Sequence, residues 1–140
     1  LRGDDLPMTA VFVLACVGVA FEVVFTALTE PKVREGWRLK GQSYVWMFPI
    51  YALVVPFFKV LHPHFGAWPW AARAPLYVGV LFAVEYVTGW LLRRGTGRCP
   101  WDYGNARWAV HGLIRLDYFP AWLAAVTLFE ALCLRLGVLA

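Results

Sequence analysis

Residues 8–29 read MTAVFVLACVGVAFEVVFTALT, and this stretch decides the fold. It is 22 residues of almost unbroken apolar character with one charge, Glu22. As a helix it would reach about 33 Å, close to the roughly 30 Å hydrocarbon core of a bilayer. Three further runs repeat the pattern, over Tyr44–Leu61, Ala74–Leu92 and Tyr118–Leu134. Pro31, the His62-Pro63 pair and Gly95 punctuate their ends. The spacing predicts four spans in one transmembrane domain covering residues 1–140, an all-α integral membrane fold arranged as a four-helix bundle. Arg2 ahead of the first run imitates a signal peptide, but Glu22 interrupts that run and no small-x-small cleavage pattern follows.

Composition points the same way. Of 140 residues, 61% are apolar and the mean hydropathy is +0.59. A soluble domain this small has too little interior to hide so much apolar surface. A disordered chain would be apolar-poor and charge-rich. The net charge of +4 sits in short loops rather than in a stripe, so it reads as a topology signal and not as a nucleic-acid face. The bilayer is therefore the first partner, helices of another membrane protein the second, and nucleic acid is excluded. The loops holding Lys32, Arg34, Arg38 and Lys40, and then Arg93, Arg94, Arg98, Arg107 and Arg115, are predicted cytoplasmic, with both termini outside. Most of the eight tryptophans fall near predicted span ends, where an amphipathic ring suits the headgroup layer.

Residues 108–116, WAVHGLIRL, are too apolar for a free loop and predict an interfacial or re-entrant segment before the last helix. An internal duplication is also expected. Phe21-Glu22-Val23-Val24 resembles Val84-Glu85-Tyr86-Val87, Phe48-Pro49 matches Phe119-Pro120, and Lys59 falls in register with Glu130. Two helical hairpins of the same orientation would explain this; chance similarity among apolar segments is the alternative.

Ionisable side chains inside a span are costly and carry functional hypotheses. Glu22 shares a helical face with Ala15, Gly18, Thr26 and Thr29, Glu85 with Thr88 and Gly89, and Glu130 with Thr127 and Cys133. Small residues let helices approach, so these stripes should face inward. The candidates for a polar pocket are Glu22, Glu85, Asp102, Tyr103, Trp101, Arg98, Arg115, His111 and Glu130. The competing reading is structural: each glutamate pairs with an arginine of the third loop, or stays protonated and bonds a neighbouring helix. Asp102, after Pro100-Trp101 and before Tyr103-Gly104-Asn105, reads first as the acceptor of a fixed turn or a helix cap.

His62, His64 and His111 do not make a convergent metal set, and the three cysteines have no paired spacing. No phosphate-binding GxxxxGK run is present, so no nucleotide motor or cofactor is expected in this chain. No Cys/His or Ser/His pair has the logic of a nucleophile. A catalytic reading must rely on Asp102 or His111 as base, with Arg98 and Arg115 holding a phosphate. It ranks behind two others: a binding or transport component for a lipid headgroup, ion or small amphiphile, and an accessory subunit of a larger membrane complex.

Several of these pieces, in order along nearly the whole chain, resemble the transmembrane protein 229 family of animals and a related bacterial membrane family labelled putative ABC-transporter type IV. They are Glu22-Val23-Val24-Phe25-Thr26-Ala27, Ser43 with Trp46, Tyr51, Glu85 with Thr88-Gly89, Cys99-Pro100-Trp101-Asp102-Tyr103, Gly112-Leu113-Ile114, and Tyr118 with Pro120 and Trp122. The resemblance implies a small multi-pass membrane protein and no established reaction. Gly104 stands where the family usually has Ser, Lys59 where an acidic residue is common, and His111 where an apolar or aromatic residue is usual. The lysine argues against a proton relay through the second span.

Overall fold

The computed structural model describes residues 7–30 and 34–139. Arg2, Pro31 and Lys32, which entered the topology reading, lie outside the described residues. Among the described residues the regular structure is α-helical apart from short 3-10 turns and one small hairpin. Among the described residues, five helices of six residues or more follow in order: α1 (Met8–Thr29), α2 (Met47–Ala52), α3 (Val54–Phe65), α4 (Trp70–Thr96) and α5 (Phe119–Arg135). Two strands, β1 (Ala109–Val110) and β2 (Ile114–Arg115), lie between α4 and α5. Among the described residues, three stretches are long and apolar enough to cross a membrane: Met8–Thr29, Trp70–Thr96 and Leu116–Arg135. The chain is an all-α integral membrane protein.

The second predicted span, Tyr44–Leu61, is broken in two. Leu53 separates α2 from α3, and its amide bonds back only as far as Ile50 and Tyr51. Pro56 supplies the reason: it has no N–H for the carbonyl of Ala52, and its ring crowds that carbonyl, so a continuous helix through 52–56 is disfavoured. A proline in the first turn of α3 costs nothing, because that turn's donors have no intrahelical partner anyway. Pro49 occupies the same kind of position in α2.

Where α4 stops is set by glycine. The run was expected to end at Leu92, with Gly95 as the breaker, yet the helix continues to Thr96 and ends on Gly97 at φ +79°. A left-handed residue after the last turn is the usual helix stop, and only glycine adopts it freely. Arg93 and Arg94 stand in the last turn, where the exposed carbonyls favour positive charge. The last helix, α5, ends similarly: Gly137 at φ +67° turns the chain, with Val138 N–H bonded to Cys133 O and Gly137 N–H to Leu134 O, a Schellman motif.

Two compact units result, one from Leu1–Val60 with Leu132–Ala140 and one from Leu61–Ala131. In the first, α1 packs along α2. Ala15 and Leu14 are fully buried, and Gly18 lies directly against Tyr51; a Cβ at Gly18 would collide with that ring. Ala15 and Gly18 of the small-residue stripe thus face inward, Thr29 at its end is exposed, and Met8, Phe12, Val24 and Leu28 are exposed in the manner of a lipid-facing surface. In the second unit the core is built on α4, with Ala74, Tyr77, Val78 and Phe82 buried along its first half.

Candidate functional site

The second half of α4 carries a platform for the loop that follows it. Glu85, Gly89 and Arg93 recur at helical spacing, with Tyr86 beside them, so these side chains share one broad face. Gly89 is the contact point. A Cβ there would meet Leu113 and Trp101, each at 3.1 Å, and the Cys99 sulfur at 3.4 Å. The absent side chain lets the loop sit on the helix backbone. Trp101 is buried, and its indole N–H donates to Leu113 O at 2.9 Å. Satisfying that donor is what allows a tryptophan to be buried here.

The segment 108–116 is held by pairing rather than by helix formation. Strands β1 and β2 are antiparallel, with Val110 opposite Ile114 and Ala109 opposite Arg115. At the tip, His111 and Gly112 both have left-handed φ, +53° and +69°, and Leu113 N–H bonds Val110 O at 3.0 Å. Positive φ at both central residues marks the type I′ hairpin turn. The interfacial or re-entrant reading expects this backbone to be satisfied by helix formation or by burial in protein; the structure satisfies it by hairpin pairing instead. The usual Asn-Gly or Asp-Gly signal is replaced by His-Gly, which hid the turn from the sequence.

The tip is fastened to α4 at several points. Tyr86 Oη and His111 Nδ1 lie 2.8 Å apart, and Arg93 Nη1 donates to His111 O at 2.9 Å. Tyr103 N–H donates to Gly112 O at 3.0 Å, while the Tyr103 hydroxyl donates to Glu85 Oε1 at 3.0 Å. One residue therefore bridges the hairpin and the intramembrane glutamate. Asp102 makes the expected turn: its Oδ1 accepts Gly104 N–H at 2.8 Å, and Gly104 has φ +54°. A short side chain bonding its own backbone two residues on is an Asx turn. Glycine at 104 suits this left-handed position.

Beside these contacts lies an open polar cleft of about 770 Å³, bordered by Arg93, Asp102, Asn105, His111 and Gly112. Gly112 is part of its lining. A Cβ at that position would stand 2.7 Å from Asp102 Oδ1 and 3.5 Å from Arg93 Nη2. The cleft thus brings together near Gly112 the Asp102 carboxylate, from its Asx turn, and the Arg93 guanidinium, from α4. Cys99 is half-buried nearby; burial raises its thiol above the ordinary value, against the opposing pull of the Trp101 backbone and Arg93.

The model of the family described as Putative ABC-transporter type IV matches residues 9–136. The chain belongs to this family. With its long apolar helices, membership makes it a membrane protein of transport-related type. No solved structure matches it.

The other predicted residues are distributed as follows. Glu22 belongs to the first unit, where its Oε2 accepts the Ser43 hydroxyl at 2.7 Å. One turn on, Thr26 Oγ1 both donates to Gln42 O and accepts Gln42 N–H, each at 2.9 Å. Glu130 is buried in an ionic cluster: Arg73 Nε and Nη2 donate to both its oxygens at 3.0–3.2 Å, and His62 Nδ1 lies 3.2 Å from Oε1. Arg73 precedes Glu85 by twelve residues on α4, about 18 Å along the axis, so Glu130 is not part of the platform. Arg115 is fastened to Asp117 at 2.8 Å and lies over the Tyr118 ring. Arg98 is exposed just beyond α4.

Tyr86, Arg93, Arg73 and His62 complete these clusters without having been singled out as pocket residues. Tyr86 and Arg93 follow Glu85 by one and eight residues, so a helical-face count from Glu85 could have raised them. Arg73 and His62 had no such local signal, because their partner Glu130 is 57 and 68 residues away.

Proposed function

We propose that this chain is a ligand-binding component of a membrane transport system, and that the cleft of Arg93, Asp102, Asn105 and His111 receives the polar headgroup of a small amphiphile. The observation that carries the reading is the double anchoring of the hairpin tip on α4, by Tyr86 and Arg93, beside that cleft. Preorganised charges on a fixed backbone bind with little ordering cost, and here they stand at the end of a membrane helix where an amphiphile's headgroup would lie. By the arginine distribution this face is cytoplasmic.

The duplication expected from the sequence is in keeping with the same view. In each half a helix glutamate accepts a hydroxyl from the loop after its helix, Ser43 for Glu22 and Tyr103 for Glu85, 21 and 18 residues later. The second half adds the hairpin and cleft to this shared plan.

Thermal unfolding of the purified chain in detergent, with phosphoethanolamine, phosphocholine and glycerol 3-phosphate as probes, tests the reading. At least one probe should raise Tm in the unsubstituted chain, and Asp102→Asn or His111→Ala should remove the rise. No rise with any probe, or an equal rise in both variants, overturns it.

A further inference from the structure

Five arginines and three carboxylates fall between residues 85 and 118. All three carboxylates are engaged: Glu85 with Tyr103, Asp102 with Gly104 N–H, and Asp117 with Arg115. Arg93 is committed to the hairpin tip. That leaves positive charge in excess on this face. Among the described residues, neither Arg94 nor Arg107 has a carboxylate partner. Each instead lies over an exposed indole, Arg94 over Trp90 at 5.2 Å and Arg107 over Trp108 at 5.9 Å.

This pairing has a consequence for what the arginines can hold. A guanidinium stacked on a ring has already given up much of its rotamer freedom, yet its N–H edge stays open. That edge matches two oxygens of a phosphate in a bidentate fork, which a lysine ammonium cannot reproduce. The rings fix the level. Trp90 stands six residues before the end of α4, flanked by the exposed apolar residues Val87 and Leu91, and an indole so placed sits at the headgroup layer. The phosphate within reach at that depth belongs to a lipid of the surrounding leaflet.

We infer that Arg94–Trp90 and Arg107–Trp108 are two clamps for the phosphates of anionic phospholipids in the cytoplasmic leaflet. These clamps are separate from the cleft of the proposed function and use none of its residues. They select negatively charged headgroups, because a zwitterionic headgroup carries its own cation against the unmatched arginines.

The full chain reconstituted in phosphatidylcholine vesicles, with brominated phosphatidylglycerol or brominated phosphatidylcholine as quencher of tryptophan fluorescence, tests this. Brominated phosphatidylglycerol should quench more strongly at equal mole fraction, with a preference of about fivefold for each arginine. Arg94→Gln with Arg107→Gln should abolish the preference. Arg94→Lys with Arg107→Lys keeps the charge and loses the stacked fork, and should retain less than about half of it. Equal quenching by the two lipids overturns the proposal, as does full preference in the lysine variant, which would reduce the clamps to a count of charges. Millimolar inorganic phosphate should leave the quenching unchanged; displacement by it would overturn the assignment to bilayer lipid. Lipids retained on the unsubstituted chain, identified by native mass spectrometry, give the same decision where a variant fails to fold: no enrichment of phosphatidylglycerol over phosphatidylcholine also overturns it.

Discussion

Glu22 and Glu85 sit in similar sequence settings and meet similar partners, yet the loops that supply those partners are built differently. Ser43 reaches Glu22 from a stretch laid closely along α1: a Cβ at Gly41 would collide with the Val23 carbonyl, and the Thr26–Gln42 pair repeats the contact one turn on. Earlier in that loop Trp37 is 97% exposed. Tyr103 reaches Glu85 from a loop with its own buried tryptophan, its own hairpin and a turn fixed by Asp102. The first loop is held by its end and the second by its middle. A loop held by its middle can present side chains at fixed positions, which is the requirement for a site.

The comparison breaks most sharply at Trp101. Trp101→Ala removes the buried indole and its bond to Leu113 O, and should cost about 3–5 kcal/mol as a large-to-small core change. Trp37→Ala, at an exposed ring of the first loop, should change stability by less than about 0.5 kcal/mol. Unfolding in detergent checks both; equal effects would mean that the second loop is no more fixed than the first.

Gly89 tests the same point from the helix side. Gly89→Val adds a Cβ and two methyl groups where a Cβ alone would meet Leu113 and Trp101 at 3.1 Å, and should cost about 1–3 kcal/mol through overpacking. Hydrogen exchange should then rise across 98–113 and stay unchanged across 41–43.

The third contrast is between the hydroxyls. Tyr103→Phe takes the donor from Glu85 and breaks the link between glutamate and hairpin, while Ser43→Ala takes the donor from Glu22 and leaves the Thr26–Gln42 pair in place. Removing one partner of a buried bond costs about 1–3 kcal/mol. The phenylalanine variant should therefore stand near the top of that range and the alanine variant near the bottom, read as the shift in unfolding midpoint.

How far this was legible follows from the range of each signal. The span over 8–29 and the last helix are written in local periodicity, and α1 has the predicted ends. The break at Leu53 was also local, since Pro56 encodes it, but the apolar run masked it. Asp102 as a turn acceptor could be read because its partner is two residues away. Glu85 with Tyr103, and Glu130 with Arg73, could not: the residues were candidates, yet nothing in the chain says which distant group each would meet. Sequence exposes the cost of a charge in a membrane more readily than the means by which it is met.

The smallest effect concerns Cys99, half-buried between Gly89 and Trp101. Burial lifts its thiol above the ordinary value of 9.0, so the folded loop holds this proton more tightly than the unfolded chain does. The stabilisation is full below the unfolded thiol's range and is lost as pH rises through the folded one, so alkaline pH should loosen the loop. Labelling by an impermeant maleimide should be slow at pH 7 and rise about tenfold per pH unit up to pH 9, because the thiolate is the nucleophile. Gly89→Val should speed it at every pH, while Tyr103→Phe should move it less. A rate that is flat from pH 7 to 9 would mean the thiol is already ionised and solvated, and the loop's middle no better held than the first loop's. A reagent confined to the cytoplasmic side should label this cysteine and one confined to the other side should not, which ties the loop's packing to the orientation that its arginines imply.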